Sequence, residues 1–116
     1  MKKVEKLVRN GRVAILISPS YGSGWYTWND PRKKWMLWHK DIVRAIEDED
    51  FEKAKEIAKK VNQELSGDND DDSDLYLGAL RELQIVWLPK GTLFEVLEYD
   101  GNEVLRVLSK EFCMEA

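Results

Sequence analysis

The chain has 116 residues, 43% of them hydrophobic and 34% charged, which is the make-up of one soluble globular domain and too short for two. A formal charge of −4 and a pI near 5.1 argue against general affinity for nucleic-acid backbones, which need a net basic surface, although a local basic patch is still able to hold one phosphate group. Cys113 is the single cysteine, so an intrachain disulfide is excluded and a reducing cytoplasm is expected, and no stretch approaches the ~20 consecutive apolar residues of a membrane span.

The basic start, residues 1–6, runs into Arg9, Asn10 and Gly11 rather than into the apolar core of a signal peptide. Residues 7–9 and 12–14 flank Asn10-Gly11, the dipeptide best able to take the positive φ values of a type I′ turn, and read as a hairpin. A short helix over residues 3–9, capped by Gly11, is the competing reading. Residues 13–17 have almost no polar interruption, which predicts a strand covered on both faces and central in its sheet, ended by Pro19.

Residues 18–29 read Ser-Pro-Ser-Tyr-Gly-Ser-Gly-Trp-Tyr-Thr-Trp-Asn, four aromatic rings, two glycines and several hydroxyls in a segment too irregular for a helix or a plain strand. Asn29-Asp30-Pro31 then has the form of a helix start, a capping side chain followed by proline at the first helical position. Trp35, Trp38, Ile42, Ala45 and Ile46 recur at helical spacing and predict a single helix from there through about residue 47. Arg32, Lys33 and Lys34 fall in its first turn, where the helix dipole disfavours positive charge, so an anion, an acidic partner or solvation must relieve the conflict.

Residues 47–50 form a polar joint. A second helix is predicted beyond it, with Phe51, Ala54, Ala58, Val61 and Leu65 on one face and Ser66-Gly67 as its stop. Residues 68–74 are a low-complexity acidic run, expected to be a mobile loop. Residues 83–88 read as a strand, Pro89-Lys90-Gly91 as a turn, residues 92–99 as a strand, Asp100-Gly101 as a second hairpin turn, residues 103–108 as the last strand and residues 110–116 as a tail. The expected fold is therefore α+β: one domain over residues 1–116, a mainly antiparallel sheet of about five strands, and a two-helix layer on one face.

Gly22-x-Gly24 lies between a strand and a helix, where phosphate-cradling loops occur, but Thr27 stands where the third glycine of G-x-G-x-x-G would be and no Gly-Lys-Ser/Thr follows. Two readings of the loop stay open. The glycines allow tight turns that let Tyr21, Trp25 and Tyr26 pack into the fold, or the hydroxyls of Ser20, Ser23 and Thr27 and nearby N–H groups bind a polar group while the rings stack on a planar one. Arg32, Lys33 and Lys34 would complete the second arrangement by facing an anion; their plain alternative is a solvated turn paired with Asp30 or the acidic loop.

His39, the only histidine, excludes multi-histidine metal centres and reads as a helix-surface residue rather than a catalytic base. The acidic run has Ser73 and Ala79 where an EF-hand begun at Asp68 needs glycine and glutamate, so it reads as solvated loop and no metal site is assigned. Glu95, Glu98 and Asp100 have the spacing of a hairpin's solvent face.

The loop over residues 18–29, the later Trp87-x-Pro89-x-Gly91-Thr92 segment and the Glu98-Tyr99-Asp100-Gly101 hairpin resemble a pattern found in small uncharacterised phage and phage-derived bacterial proteins, relative to which the acidic run is an insertion. The resemblance implies a source and a shared fold and carries no chemistry. By class analogy, small acidic phage proteins block host proteins or sequester nucleotides.

The expectation from sequence is a cytoplasmic binding protein without a cofactor, rather than an enzyme. Ser20, Tyr21, Gly22, Ser23, Gly24, Trp25, Tyr26, Thr27 and Trp28 with Arg32, Lys33 and Lys34 would recognise a small anionic, nucleotide-like ligand. The alternative makes the same loop an interface for self-association or for a host protein, where Trp and Tyr are favoured anchors. A third reading is a small hydrolase working through the loop hydroxyls and His39.

Overall fold

The computed structural model describes residues 4–66, 75–107 and 114–115; the acidic run with its calcium reading, and Cys113, lie outside them. Chain order is β1 (Val8–Arg9), β2 (Arg12–Ile17), a 3-10 turn at Tyr26–Trp28, α1 (Trp35–Trp38), α2 (Lys40–Glu47), α3 (Phe51–Ser66), a second 3-10 turn at Leu80–Glu82, then β3 (Gln84–Pro89), β4 (Leu93–Tyr99), β5 (Asn102–Val107) and β6 (Met114–Glu115). The α+β class holds, with every strand pair antiparallel. The strands form two sheets rather than one, in the orders β1-β2-β3 and β5-β4-β6.

Both hairpin turns form where their dipeptides stand. Asn10 and Gly11 have φ of 52° and 73°, and Asp100 and Gly101 have φ of 51° and 88°, the left-handed pairs that a two-residue I′ connection requires. β2 is central in its sheet, and its alternation feeds two clusters. Ala14 and Leu16 face Trp35, Met36, Ile42, Val43, Ala54 and Ala58 of the helical layer, while Val13, Ile15 and Ile17 pack with Leu37 and Phe94 under the second sheet. The molecule is thus layered helix, sheet, sheet, with β2 dry on both faces.

The single helix expected over residues 29–47 is not what forms. Helical structure begins only at Trp35, and His39, at ψ 121°, breaks it into α1 and α2. Asn29 is unavailable as a cap because its amide is engaged elsewhere: Nδ2 donates to the carbonyls of Trp25 (2.8 Å) and Tyr76 (3.0 Å), and Oδ1 accepts from the Tyr76 N–H (2.8 Å). Asp30 instead closes a local turn, its Oδ1 accepting from the Arg32 N–H and its carbonyl from the Lys33 N–H. At the break, the segment before β1 intervenes: Lys6 bridges His39, and the Lys40 N–H donates to the Glu5 carbonyl at 3.0 Å. The second helix forms as its periodicity dictates, with Ala54, Ala58 and Val61 buried. The end of the chain also differs from a plain tail, since Met114–Glu115 pairs with β4 at Leu93 and Phe94.

Candidate functional site

The loop from Ser18 to Asn29 is built around a carboxylate that arrives from β5. Glu103 has no exposed surface. Its Oε2 accepts from the backbone N–H of Trp25 (2.9 Å), the N–H of Thr27 (2.9 Å) and the Thr27 hydroxyl (2.6 Å), while Oε1 accepts from the Ser18 N–H (2.9 Å). The Glu103 N–H donates in return to the Ser18 carbonyl at 2.7 Å, so the end of β2 is tied to β5 in both directions. Four donors on two oxygens give this buried carboxyl group hydrogen-bond partners in place of water. The loop is therefore an anion cradle in form, filled by the chain's own side chain.

The remaining loop groups are fixed around that centre. Trp25 is fully buried, and its indole N–H donates to the Met36 carbonyl at 2.6 Å. Ser18 Oγ donates to the Ser23 carbonyl, and the Gly22 N–H donates to the Asp100 carbonyl at 2.6 Å, which seats the loop on the β4–β5 turn. A Cβ on Gly101 would lie 2.5 Å from the Ser23 nitrogen, and one on Gly24 would lie 2.4 Å from Trp28 Cδ1; both approaches need glycine. Tyr26 is half-buried, its hydroxyl donating to the Pro31 carbonyl, and burial, reinforced by the charge of Asp30, pushes its pKa up.

The basic turn does not converge on this loop. Arg32 makes a bidentate contact with Asp30 and, by hydrogen bonding, holds that carboxyl well below the usual carboxylate range. Lys33 is buried and donates to Asn62 of α3. Lys34 is exposed.

Among the described residues, four rings lie exposed at the surface around this loop. Tyr21 and Tyr99, 67% and 77% exposed, meet edge to face with centroids 6.5 Å apart. Trp28 and Tyr76, 40% and 37% exposed, are tilted at 5.2 Å. Trp28 Nε1 donates to Glu98 Oε2 at 3.0 Å, and the Gly101 N–H donates to the same oxygen at 2.7 Å; these two bonds, the indole's first, lower the Glu98 pKa. The Ser23 and Tyr76 hydroxyls share a hydrogen bond of 3.1 Å. Because neighbouring residues of a strand point to opposite faces, Glu98 and Tyr99 set the two ring pairs on opposite sides of the hairpin tip. On the Tyr99 side, Leu97 and Val104 stand opposite each other across the hairpin and are both exposed.

Of the residues predicted to form a site, the loop thus keeps Tyr21 and Trp28 at the surface, directs Trp25 into the core, and turns the Trp25 and Thr27 N–H groups, with the Thr27 hydroxyl, inward. Ser20 is partly buried. Tyr76, Tyr99, Glu98 and Glu103 join the assembly without having been predicted as members. The only sequence signal for Glu103 was a charge at the start of a strand next to a turn, which reads as solvent-facing.

Among the described residues, no group of three or more His, Cys, Asp or Glu is arranged to hold a metal, and no helix is long and apolar enough to cross a membrane. No protein family, curated protein or solved structure matches the chain.

Proposed function

We propose that this protein is a binding module that recognises another protein through the aromatic surface around its 18–29 loop, with Tyr21 and Tyr99 as anchors and Leu97 and Val104 extending the apolar area. One observation carries the reading: a loop pinned from within by a buried carboxylate holds large rings outward on a fixed frame. Rigid Tyr and Trp side chains lose little entropy on binding and dominate contact energies at interfaces. Contiguous apolar surface of this kind on a small soluble chain marks an interaction site.

A small anionic ligand at the same loop is less well supported. The inward N–H donors are engaged by Glu103, Lys33 is engaged by Asn62, and Arg32 by Asp30. Self-association is also less favoured, since a formal charge of −4 repels a second copy. A phage origin, as the loop's resemblance implies, would make the partner a host protein in the cytoplasm.

The test places a photo-crosslinking residue at position 21 or 99, and at positions 55 and 56 of α3 as controls, in the source cell. Discrete adducts from the first pair and none from the second are expected. Tyr99→Ala should weaken binding of the captured partner roughly ten-fold or more while changing stability by less than about 0.5 kcal/mol. Identical adducts from all four positions, or none, would contradict the proposal.

A further inference from the structure

Away from the loop, the first hairpin carries a feature the fold does not use. Arg9 and Arg12 stand directly opposite each other across the β1–β2 pair, on the face that also carries Trp87, whose partner is Ala14. Like charges directly opposed on a sheet destabilise it unless something relieves them. Arg9 has a structural role: it is held bidentately by Glu47, one contact at 2.8 Å, and lies 5.6 Å from the Trp87 ring centroid. Arg12 is exposed and makes no ion pair among the described residues. Arg9, Asn10, Arg12 and Trp87 together line an open cleft of about 500 Å³. Lys90 adds a further positive charge near the same turn, its N–H donating to the Gly11 carbonyl at 2.8 Å.

On a chain of net charge −4, this is a place where cations meet an aromatic ring and, among the described residues, Glu47 is the one carboxylate paired with them. A guanidinium fork matches a phosphate bidentately, and an indole offers a surface on which a flat ring packs. The volume falls within the range of small-ligand sites. We infer that the Arg9–Arg12–Trp87 cleft is a binding site for a phosphate ester carrying a planar base, of the size of a nucleoside monophosphate. Arg12 takes the phosphate together with the Arg9 donors that Glu47 leaves over, Asn10 supplies an amide, and Trp87 contacts the base. The site is separate from the aromatic loop and does not depend on the function proposed for it.

Titration with AMP, followed by chemical shifts of the backbone amides and tryptophan indole N–H groups, tests the assignment on the full chain. AMP should shift residues 9–12 and the Trp87 indole and leave the Trp25 and Trp28 indoles unmoved, and it should bind roughly ten-fold tighter than either inorganic phosphate or adenosine. Arg12→Ala should weaken AMP roughly ten-fold, and Arg12→Lys should weaken it less, because it keeps the charge without the fork. Glu47→Gln removes the competing carboxylate and should tighten binding, a gain that misfolding cannot imitate. Phosphate or adenosine binding as well as AMP, AMP affinity unchanged in Arg12→Ala, or no shift at residues 9–12 with AMP on the order of 10 mM would overturn the inference.

Discussion

Glu103 holds together residues that are remote in sequence. Removing its carboxylate leaves the N–H groups of Ser18, Trp25 and Thr27 buried or half-buried without their acceptor. Each such orphan costs about 1–3 kcal/mol, so Glu103→Ala should destabilise the protein by roughly 3 kcal/mol or more in urea denaturation. Glu103→Gln keeps the shape but sets an amide donor against those donors, and should cost about 1–3 kcal/mol. An alanine variant within about 0.5 kcal/mol of the parent would mean that the loop is held by something else. Nothing local in the sequence announces this role. An acidic residue two positions past a hairpin turn ordinarily points to water, and only the register that sets Glu103 opposite Glu98, on the same side as Phe94 and Leu105, turns it inward.

At the scale of elements, what the sequence made legible follows the range of the forces involved. The two I′ turns, the central strand and the periodic face of α3 are decided by residues within a few positions of one another, and all form as read. The predicted helix start failed because Asn29 bonds Tyr76, a partner 47 positions away that no local rule weighs against capping. The break at His39 arises likewise, from residues 5 and 6 crossing the chain there.

That break gives the cap of α2 a pH dependence. His39 Nδ1 accepts from the Asp41 N–H at 3.2 Å, which requires the neutral ring. Burial lowers the His39 pKa from its ordinary 6.5, against the opposing charges of Asp41 and Glu64. A lowered histidine pKa means that the unfolded chain binds the proton more readily. The contribution to stability is therefore complete above pH ~6.5 and is lost as pH falls from there through the folded-state value. His39→Asn retains a capping acceptor without titrating, so its melting temperature should vary less than the parent's as pH drops below ~6.5. Parallel curves for the two proteins would remove the cap from the explanation.

For the molecule as a whole, the two sheets and the helical layer meet at β2, and the loop that leaves β2 is fastened to the second sheet by Glu103, Asp100 and Glu98. The loop that carries the G-x-G segment, whose position between strand and helix suggests an external anion, instead holds the Glu103 carboxyl group on the N–H groups of Ser18, Trp25 and Thr27, and the Gly22 N–H is taken by the Asp100 carbonyl. What it offers outward is aromatic surface on a fixed frame, and that division between filled interior and exposed rings is the basis of the recognition role proposed above. Amide hydrogen exchange at Ser18, Trp25 and Thr27 tests it most directly. The account predicts that all three exchange nearly as slowly as the β2 ladder in the parent chain and lose most of that protection in Glu103→Ala. Exchange at the rate of unprotected loop amides in the parent would show the cradle to be open, and would contradict the account.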